Sequence, residues 1–231
     1  MNTFLIFIAS AIFKSRGVVI LDAFCGVGGN GIGFALHEDV SLVICVDTDR
    51  EKLRMAANNA FVYNVDPSKI LFIKGNAIDI LGFYSNGGIE SKMKKESDDV
   101  NESENCQDET CNGYKISGKS SLRKNQNLDC VFLSPPWGGM DYLHAGNSGY
   151  ELSKCIKVKA SDNVIYNGDD LLSMASGASK SKAVVYFLPK NLDGFNIGKS
   201  AWNVGYRHGI ELEQNLLNGK LKTVTAYLNG F

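Results

Sequence analysis

The sequence predicts an α/β fold with a mostly parallel sheet of seven strands and a C-terminal antiparallel hairpin. Short apolar runs typical of buried strands alternate with segments of helical spacing, as expected for βαβ units. The last two runs, 210–217 and 221–228, are joined by Asn218-Gly219, which is a strong signal for a hairpin turn. Together these observations favour a mostly parallel sheet that ends in an antiparallel pair.

The individual elements follow one another with clear start and stop signals. The first strand, 18–24, is apolar except for Asp22 and leads into a glycine-rich turn, as a central parallel strand does. A helix over 49–63 begins with a capping-type aspartate and stops before Pro67. The remaining elements are a helix at 30–37 and strands at 42–46, 70–74, 129–133 and 183–188.

The whole chain, 1–231, is expected to form a single monomeric domain. Its 231 residues are 44% hydrophobic, which is enough for one core of ordinary size. Residues 85–127 are polar and nearly free of large apolar side chains, so we expect a disordered insertion there. The apolar run 4–13 is too short to span a bilayer, and its spacing predicts a short helix packed on the domain.

The charge balance and the cysteines indicate how the chain can contact nucleic acid, whether it binds a metal and in which redox compartment it resides. A balance of 24 basic and 25 acidic residues gives a formal charge of −1, so contact with nucleic acid must be local. Cys106 and Cys111 have no histidine nearby and lack the common zinc spacing, so no metal site is expected. The other cysteines in apolar segments indicate buried thiols and a reducing compartment.

A glycine-rich turn predicts a small-molecule site at the end of the first strand. Gly26, Gly28 and Gly31 join this strand to the first helix, where backbone amides can approach a ligand. Asp47 follows about twenty residues later, at the position of a ribose-binding carboxylate. This arrangement suits either NAD or S-adenosylmethionine, and the glycines and Asp47 do not decide between them.

Two further polar residues lie at strand ends near this turn. Asp22 can accept a hydrogen bond from the amino group of a cofactor or satisfy loop amides. Asn76 follows the third strand, where it can contact an adenine edge or cap the next helix.

The segment Ser134-Pro135-Pro136-Trp137 predicts the chemistry at the carboxyl edge of the sheet. Two prolines fix the backbone and remove two amide donors, which leaves carbonyl oxygens for a substrate amine. Trp137 offers a flat face for a base, and a cationic base gains a cation–π attraction. Since no acid–base side chain accompanies this loop, methyl transfer to an exocyclic amine fits better than hydride transfer with NAD.

Several stretches resemble one family of enzymes, the trimethylguanosine synthases, which are RNA cap guanosine-N2 methyltransferases. They are LDAFCGVGGNGIGFA, VICVDTDREKLRMAANNAFVYNV, VFLSPPWGGMDY, VVYFLPKN and EQNLLNGKLKTVTAYL, and they cover most of the chain outside the insertion. The resemblance implies a Rossmann-like class I fold that uses S-adenosyl-L-methionine. It also implies conversion of the 7-methylguanosine cap of small nuclear and nucleolar RNAs to 2,2,7-trimethylguanosine, in the nucleolus or Cajal body and also in the cytoplasm.

The resemblance also assigns roles to individual residues. Ser134 and Pro135 would orient the N2 amine, and Trp137 would stack on the cap base. Near the cap phosphates it places Tyr142, Lys190 and Lys222. Cofactor contacts are implied for Asp22, Phe24, Gly26, Gly28, Gly29, Asp47, Asn76 and Ala77.

Two alternatives remain open beside this interpretation. The chain could methylate exocyclic amines of other RNA or DNA, because a Pro-Pro-aromatic loop suits many amines. It could also be a non-catalytic cap-binding module, because 1–16 does not supply the N-terminal extension of the family. Position 76 departs from the family as well, with an asparagine where an acidic residue is usual.

Overall fold

The computed structural model describes residues 17–85, 108–123, 126–138, 149–207 and 210–228. Its strands are β1 (Val18–Asp22), β2 (Val40–Asp47), β3 (Ile70–Lys74), β4 (Glu109–Cys111), β5 (Tyr114–Gly118), β6 (Leu128–Leu133), β7 (Lys157–Lys159), β8 (Ile165–Asn167), β9 (Ser179–Pro189), β10 (Ile210–Leu217) and β11 (Lys220–Leu228). Nine of them form one sheet in the order β10-β11-β9-β6-β1-β2-β3-β5-β4, and β7 pairs with β8 separately.

The central part of the sheet confirms the predicted class, but the sheet has nine strands rather than the predicted seven, because β4 and β5 extend it beyond β3. The strands β3, β2, β1, β6 and β9 are parallel neighbours, and β11 runs antiparallel to β9. The final pair, β10 and β11, forms the expected antiparallel hairpin. Its turn residues Asn218 and Gly219 both have positive φ, which is the backbone that an Asn-Gly turn favours.

Six helices in the described residues cover both faces of this sheet. They are α1 (Gly29–Ala35), α2 (Arg50–Val62), α3 (Ala77–Ser85), α4 (Leu152–Cys155), α5 (Gly168–Ala178) and α6 (Gly194–Val204). On one face, α1 and α2 contribute buried residues to a cluster that includes Phe72 and Phe132. On the other face, α3, α5 and α6 contribute to a second cluster. The sheet is therefore buried between two layers of helices, which explains the nearly continuous apolar strands.

Part of the segment 85–127, where we expected disorder, is ordered. Ser85 ends α3, and residues 108–123 contain β4, β5 and a 3-10 turn, so the expectation was wrong there. Strand β5 extends the sheet beside β3, with Ile116 fully buried and the Tyr114 hydroxyl donating to the carbonyl of Val65 at 2.7 Å. Glu109 is paired with Arg50 and Arg54 of α2.

The structure also contains helices and strands in stretches for which the sequence predicts none. Residues 134–182 and 189–209, for which the sequence predicts no element, contain α4, the β7–β8 hairpin, α5 and α6. The predicted helix at 4–13, Tyr142 and Cys106 lie outside the described residues. Within the described ranges, no helix is long and apolar enough to cross a membrane.

The outer end of α6 carries an exposed aromatic residue. Trp202 is 58% exposed, and the guanidinium carbon of Arg207 lies 4.2 Å from its ring centroid. This spacing is that of a cation–π contact at a solvated surface.

Candidate active site

The carboxyl ends of the parallel strands surround a cavity of about 430 Å³. This is the edge of an open α/β sheet at which ligands bind. The lining residues are Ala23, Phe24, Gly26, Asp47, Thr48, Lys52, Gly75, Asn76, Ala77, Ser134, Pro135, Pro136, Lys157, Val158 and Lys159. The structure therefore brings together the ends of β1, β2, β3 and β6, which lie far apart in the sequence.

The glycine-rich turn after β1 is shaped by close packing. Gly28 has a φ of +85°, and a Cβ at this position would lie 3.0 Å from the Cβ of Ala56 in α2. A side chain there is disfavoured by both conformation and space. The amide of Cys25 donates to the carbonyl of Val46 at 2.8 Å, which fixes the turn against the end of β2.

Asp47 connects the end of β2 to this turn. One carboxylate oxygen accepts a hydrogen bond from the amide of Gly26 at 3.1 Å, and the other accepts from the amide of Asp49 at 2.8 Å. Each oxygen of an ionised carboxylate has a second lone pair. Because Asp47 also lines the cavity, these remaining sites are suited to hydroxyl donors of a ligand.

Asp22 is a fully buried carboxyl group at the end of β1. Neither of its oxygens has a hydrogen-bond partner within the described residues. Burial raises its pKa to about 7, and the negative charge of Asp47 adds to this, while the nearby amides of Phe24 and Gly31 oppose it. Asp22 does not itself line the cavity, whereas the next two residues, Ala23 and Phe24, do.

The loop after β6 is tied to the turn after β1. The hydroxyl of Ser134 donates to the carbonyl of Phe24 at 3.2 Å, so the two loops share one wall of the cavity. Pro135 is buried and Pro136 is exposed, and neither carries an amide hydrogen. No donor in the described part of the chain hydrogen-bonds to the carbonyl of Ser134 or Pro135. These oxygens can accept hydrogen bonds from a substrate amine.

Trp137 follows this loop and is held by its neighbours. Its ring centroid lies 5.7 Å from that of Phe187, at an interplanar angle of 40°, and its indole nitrogen donates to the carbonyl of Phe187 at 3.2 Å. The hydroxyl of Tyr150 donates to the carbonyl of Trp137 at 3.3 Å. Trp137 is half-buried and lies next to the cavity without lining it.

Asn76 acts as a cap and also reaches a distant hairpin. Its side-chain oxygen accepts from the amide of Ile78 at 2.9 Å, as expected for a residue that precedes α3. Its side-chain nitrogen donates to the carbonyl of Lys159 at 2.8 Å. Ala77, the first residue of α3, is buried and lines the cavity beside it.

Of the predicted substrate-binding lysines, Lys190 directly follows β9 and Lys222 lies on β11. Thr223 of β11 pairs with Pro189 of β9. Lys222 directly precedes Thr223 and Lys190 directly follows Pro189, so the two lysines lie next to the same strand pair. Both lysines are exposed, and Lys190 directly follows the carboxyl end of β9. The structure therefore places Lys190 at the edge of the sheet that carries the Ser134 loop, while Tyr142 lies outside the described residues.

Sequence reasoning missed several residues of the cavity. Lys52 of α2 lines it, as do Lys157, Val158 and Lys159 of the hairpin. The predicted start of α2 beside Asp47 is a signal that could have placed Lys52 near the cavity, whereas no local pattern identifies the hairpin. In the described ranges, no cluster of three or more metal-binding side chains occurs.

Structural comparison places this fold among known methyltransferases. An S-adenosylmethionine-dependent methyltransferase from Agrobacterium tumefaciens superposes with a TM-score of 0.60 at 10% identity, covering 98% of this chain and 61% of that protein. A putative methyltransferase from Porphyromonas gingivalis gives a TM-score of 0.54 at 11% identity, covering 98% of this chain and 39% of that protein. The fold is therefore that of class I S-adenosylmethionine-dependent methyltransferases.

The sequence comparisons narrow this class further. Residues 17–231 match the family model for RNA cap guanine-N2 methyltransferases, and the chain belongs to that family. It is 28% identical over 228 residues to trimethylguanosine synthase of Schizosaccharomyces pombe, covering 96% of this chain and 72% of the relative. It is 30% identical over 174 residues to trimethylguanosine synthase of Saccharomyces cerevisiae, covering 75% of this chain and 39% of the relative. The cofactor is S-adenosylmethionine rather than NAD.

Proposed function

We propose that this chain methylates N2 of the 7-methylguanosine cap of small nuclear and small nucleolar RNAs to give 2,2,7-trimethylguanosine. One observation supports this proposal above all. In a chain of the cap guanine-N2 family, the Ser134-Pro135-Pro136 segment borders the same cavity as Gly26 and Asp47. The proposal also takes the chain as a monomer that works without a metal, in the nucleolus or Cajal body and also in the cytoplasm.

The residues around the cavity fit S-adenosylmethionine. Asp22, buried without a partner, suits the ammonium group of the methionine portion. Phe24 and Gly26 line the cavity and offer a surface to that portion, whereas Gly28 and Gly29 do not line it. Asp47 suits the ribose hydroxyls, and Asn76 and Ala77 border the space left for the adenine. Bound S-adenosylmethionine supplies a methyl group on a positively charged sulfur.

The residues of the Ser134 loop orient the amine that receives this methyl group. The carbonyls of Ser134 and Pro135 accept hydrogen bonds from the N2 amine, because no amide of Pro135 or Pro136 competes for that space. The amine nitrogen is thereby directed toward the cofactor, and such positioning supplies much of the rate enhancement. In this proposal the chain contributes geometry and hydrogen-bond acceptors rather than an acid or base.

The cap base and its phosphates have separate binding groups. Trp137, fixed by Phe187 and Tyr150, offers its indole to the cationic 7-methylguanine, which favours a cap already methylated at N7. Lys190 and Lys222 are exposed cations suited to the cap phosphates, and Tyr142 is assigned to them by its place in the family motif.

Methyl transfer to short capped substrates tests this function. Labelled S-adenosylmethionine is supplied with a 7-methylguanosine cap analogue or with the unmethylated cap analogue. We expect label on the 7-methylated analogue and about tenfold less on the other, because the neutral guanine lacks the cation–π attraction. Equal labelling of both would contradict the cap assignment and favour another exocyclic-amine substrate. Binding of the 7-methylated analogue without labelling would favour a non-catalytic cap-binding module.

A further inference from the structure

The β7–β8 hairpin forms one wall of the cofactor cavity without belonging to the main sheet. Lys157, Val158 and Lys159 line the cavity, while β7 pairs only with β8 among the described strands. Val158 is partly buried and packs against the core cluster beside α3 and α5. No strand pairing holds this wall against the ends of β2 and β3, so side-chain contacts contribute to its position together with the direct connection of β8 to α5.

Two hydrogen bonds join this hairpin to the start of α3. The side-chain nitrogen of Asn76 donates to the carbonyl of Lys159 at 2.8 Å, and the hydroxyl of Ser161 donates to the carboxylate of Asp79. The side-chain oxygen of Asn76 accepts from the amide of Ile78, so the orientation of the amide group is fixed by both partners. The hairpin is thus anchored beside the end of β3, at the proposed adenine end of the cavity.

In this chain, the hydrogen bond from position 76 to the carbonyl of Lys159 requires an amide, although an acidic residue is usual there in the family. An aspartate there can still accept from Ile78 and cap the helix, but it has no hydrogen to donate to the carbonyl of Lys159. It would place a negative oxygen against that carbonyl oxygen. Anchoring and capping are therefore separable at this residue by the single change Asn76→Asp.

We infer that Asn76 is a positioning residue whose amide holds the β7–β8 hairpin against the cofactor cavity. This inference rests on the proposed cofactor site. A positioning role for Asn76 and a direct contact of Asn76 with adenine predict different results for Asn76→Asp. An aspartate at position 76 could accept a hydrogen bond from the adenine amine at least as well as an asparagine does, whereas it cannot anchor the hairpin.

Binding of S-adenosylhomocysteine by isothermal titration calorimetry tests the inference. We expect Asn76→Asp to raise the dissociation constant about tenfold, and Ser161→Ala to raise it about threefold although Ser161 does not line the cavity. Ser68→Ala is the matched control. It removes a serine–aspartate hydrogen bond at an exposed turn outside the cavity and should leave the dissociation constant unchanged. At saturating cofactor, kcat of Asn76→Asp should stay within about twofold of wild type while KM for cofactor rises.

Hydrogen exchange provides the readout that a direct contact would not alter. Without cofactor, amides of residues 157–167 should exchange faster in Asn76→Asp than in wild type, since the anchor is lost. Wild-type affinity in Asn76→Asp, or weaker binding with unchanged exchange in 157–167, would overturn the inference. If the wild-type chain itself bound no S-adenosylhomocysteine, the proposed function would fail instead, so the two failures are distinguishable.

Discussion

The carboxylate of Asp47 accepts a hydrogen bond from the backbone amide of Gly26, with 3.1 Å between oxygen and nitrogen. Asp47 is the last residue of β2, and Gly26 lies in the glycine turn that follows β1. This hydrogen bond therefore fixes the turn to the neighbouring strand. The same carboxylate accepts from the amide of Asp49, which caps α2. Asp47 therefore holds the glycine turn and the start of α2 in place, and it also lines the cavity.

Asp47→Asn should weaken cofactor binding strongly. In the asparagine, an NH2 group replaces one of the two acceptor oxygens, so the backbone amide of either Gly26 or Asp49 faces a donor. The negative charge that strengthens both hydrogen bonds is also lost. We expect the dissociation constant for S-adenosylhomocysteine to rise by about tenfold to a hundredfold. Calorimetric titration measures this change directly.

Asp66→Asn is the matched control for this change. Asp66 also accepts from a backbone amide at the start of a turn, that of Ser68, but it does not line the cavity. We expect unchanged cofactor affinity in this variant. An equal loss in both variants would indicate a general loss of stability and remove the specific role of Asp47.

The free energy of unfolding should fall as the pH rises from about 4 to 7 because of Asp22. The pKa of Asp22 is about 7 in the folded chain, against an ordinary value of 3.8 for an aspartate, so in this window the unfolded chain releases a proton that the folded chain keeps. Stability is then lost at no more than about 1.4 kcal/mol per pH unit, and the loss ends above pH 7. Urea unfolding at a series of pH values measures this slope.

Asp22→Asn should remove that contribution from the pH profile. The side chain stays polar and close in volume but no longer titrates. Saturating S-adenosylhomocysteine should also reduce the slope in wild type, because its ammonium group pairs with the ionised carboxylate. Identical slopes in wild type and Asp22→Asn would show that Asp22 is not the group responsible.

Trp137→Ala should abolish most methyl transfer while leaving cofactor binding intact. The variant loses the face proposed to stack on 7-methylguanine, but Trp137 does not line the cofactor cavity. We expect kcat/KM for the cap analogue to fall by about thirtyfold, which corresponds to a loss of about 2 kcal/mol from stacking and cation–π attraction. Trp202→Ala, which removes the exposed tryptophan of α6, should leave kcat/KM unchanged. An unaffected Trp137→Ala enzyme would refute the stacking role.

Gly31→Ala should destabilise the chain through one specific contact. A Cβ at position 31 would lie 2.4 Å from the sulfur of Cys45, in the contact between α1 and β2. We expect a loss of about 1–3 kcal/mol in the free energy of unfolding, measured by denaturant titration. Gly29→Ala, whose Cβ would meet nothing within 4 Å, should be neutral or slightly stabilising.

The double variant Gly31→Ala/Cys45→Ala tests the origin of that loss. Removing the sulfur leaves room for the new methyl group, so the two changes should not be additive. Additive losses would mean that the contact with Cys45 is not the cause.

The sequence predicted several elements whose structure depends on residues near one another in the chain. The apolar runs located the central strands, Asp49 marked the start of α2, and Asn218-Gly219 marked the hairpin. These signals are local, because caps, turns and buried strands are specified within a few residues.

Two of the elements that the sequence did not predict depend on distant partners, whereas α5 and α6 begin at local caps, Asn167 and Asp193, that our predictions did not use. Strand β4 is held by pairing of Glu109 with two arginines of α2, more than fifty positions earlier in the chain. The wall formed by β7 and β8 is anchored by Asn76 and Asp79, and its short strands carry no strong pattern of their own. The role of Asn76 could not be decided from sequence for the same reason, since Lys159 is 83 positions away.

Trp137 and Trp202 lie in contrasting environments, so the intrinsic tryptophan fluorescence of the chain can report on ligand binding. These are its two tryptophans, one half-buried against Phe187 and the other largely solvated beneath Arg207. Their fluorescence should therefore separate into a blue-shifted and a red-shifted component. Stacking of a cationic base on Trp137 would quench the blue-shifted emission and leave the red-shifted emission as an internal reference, so cap binding could be followed in solution without a label.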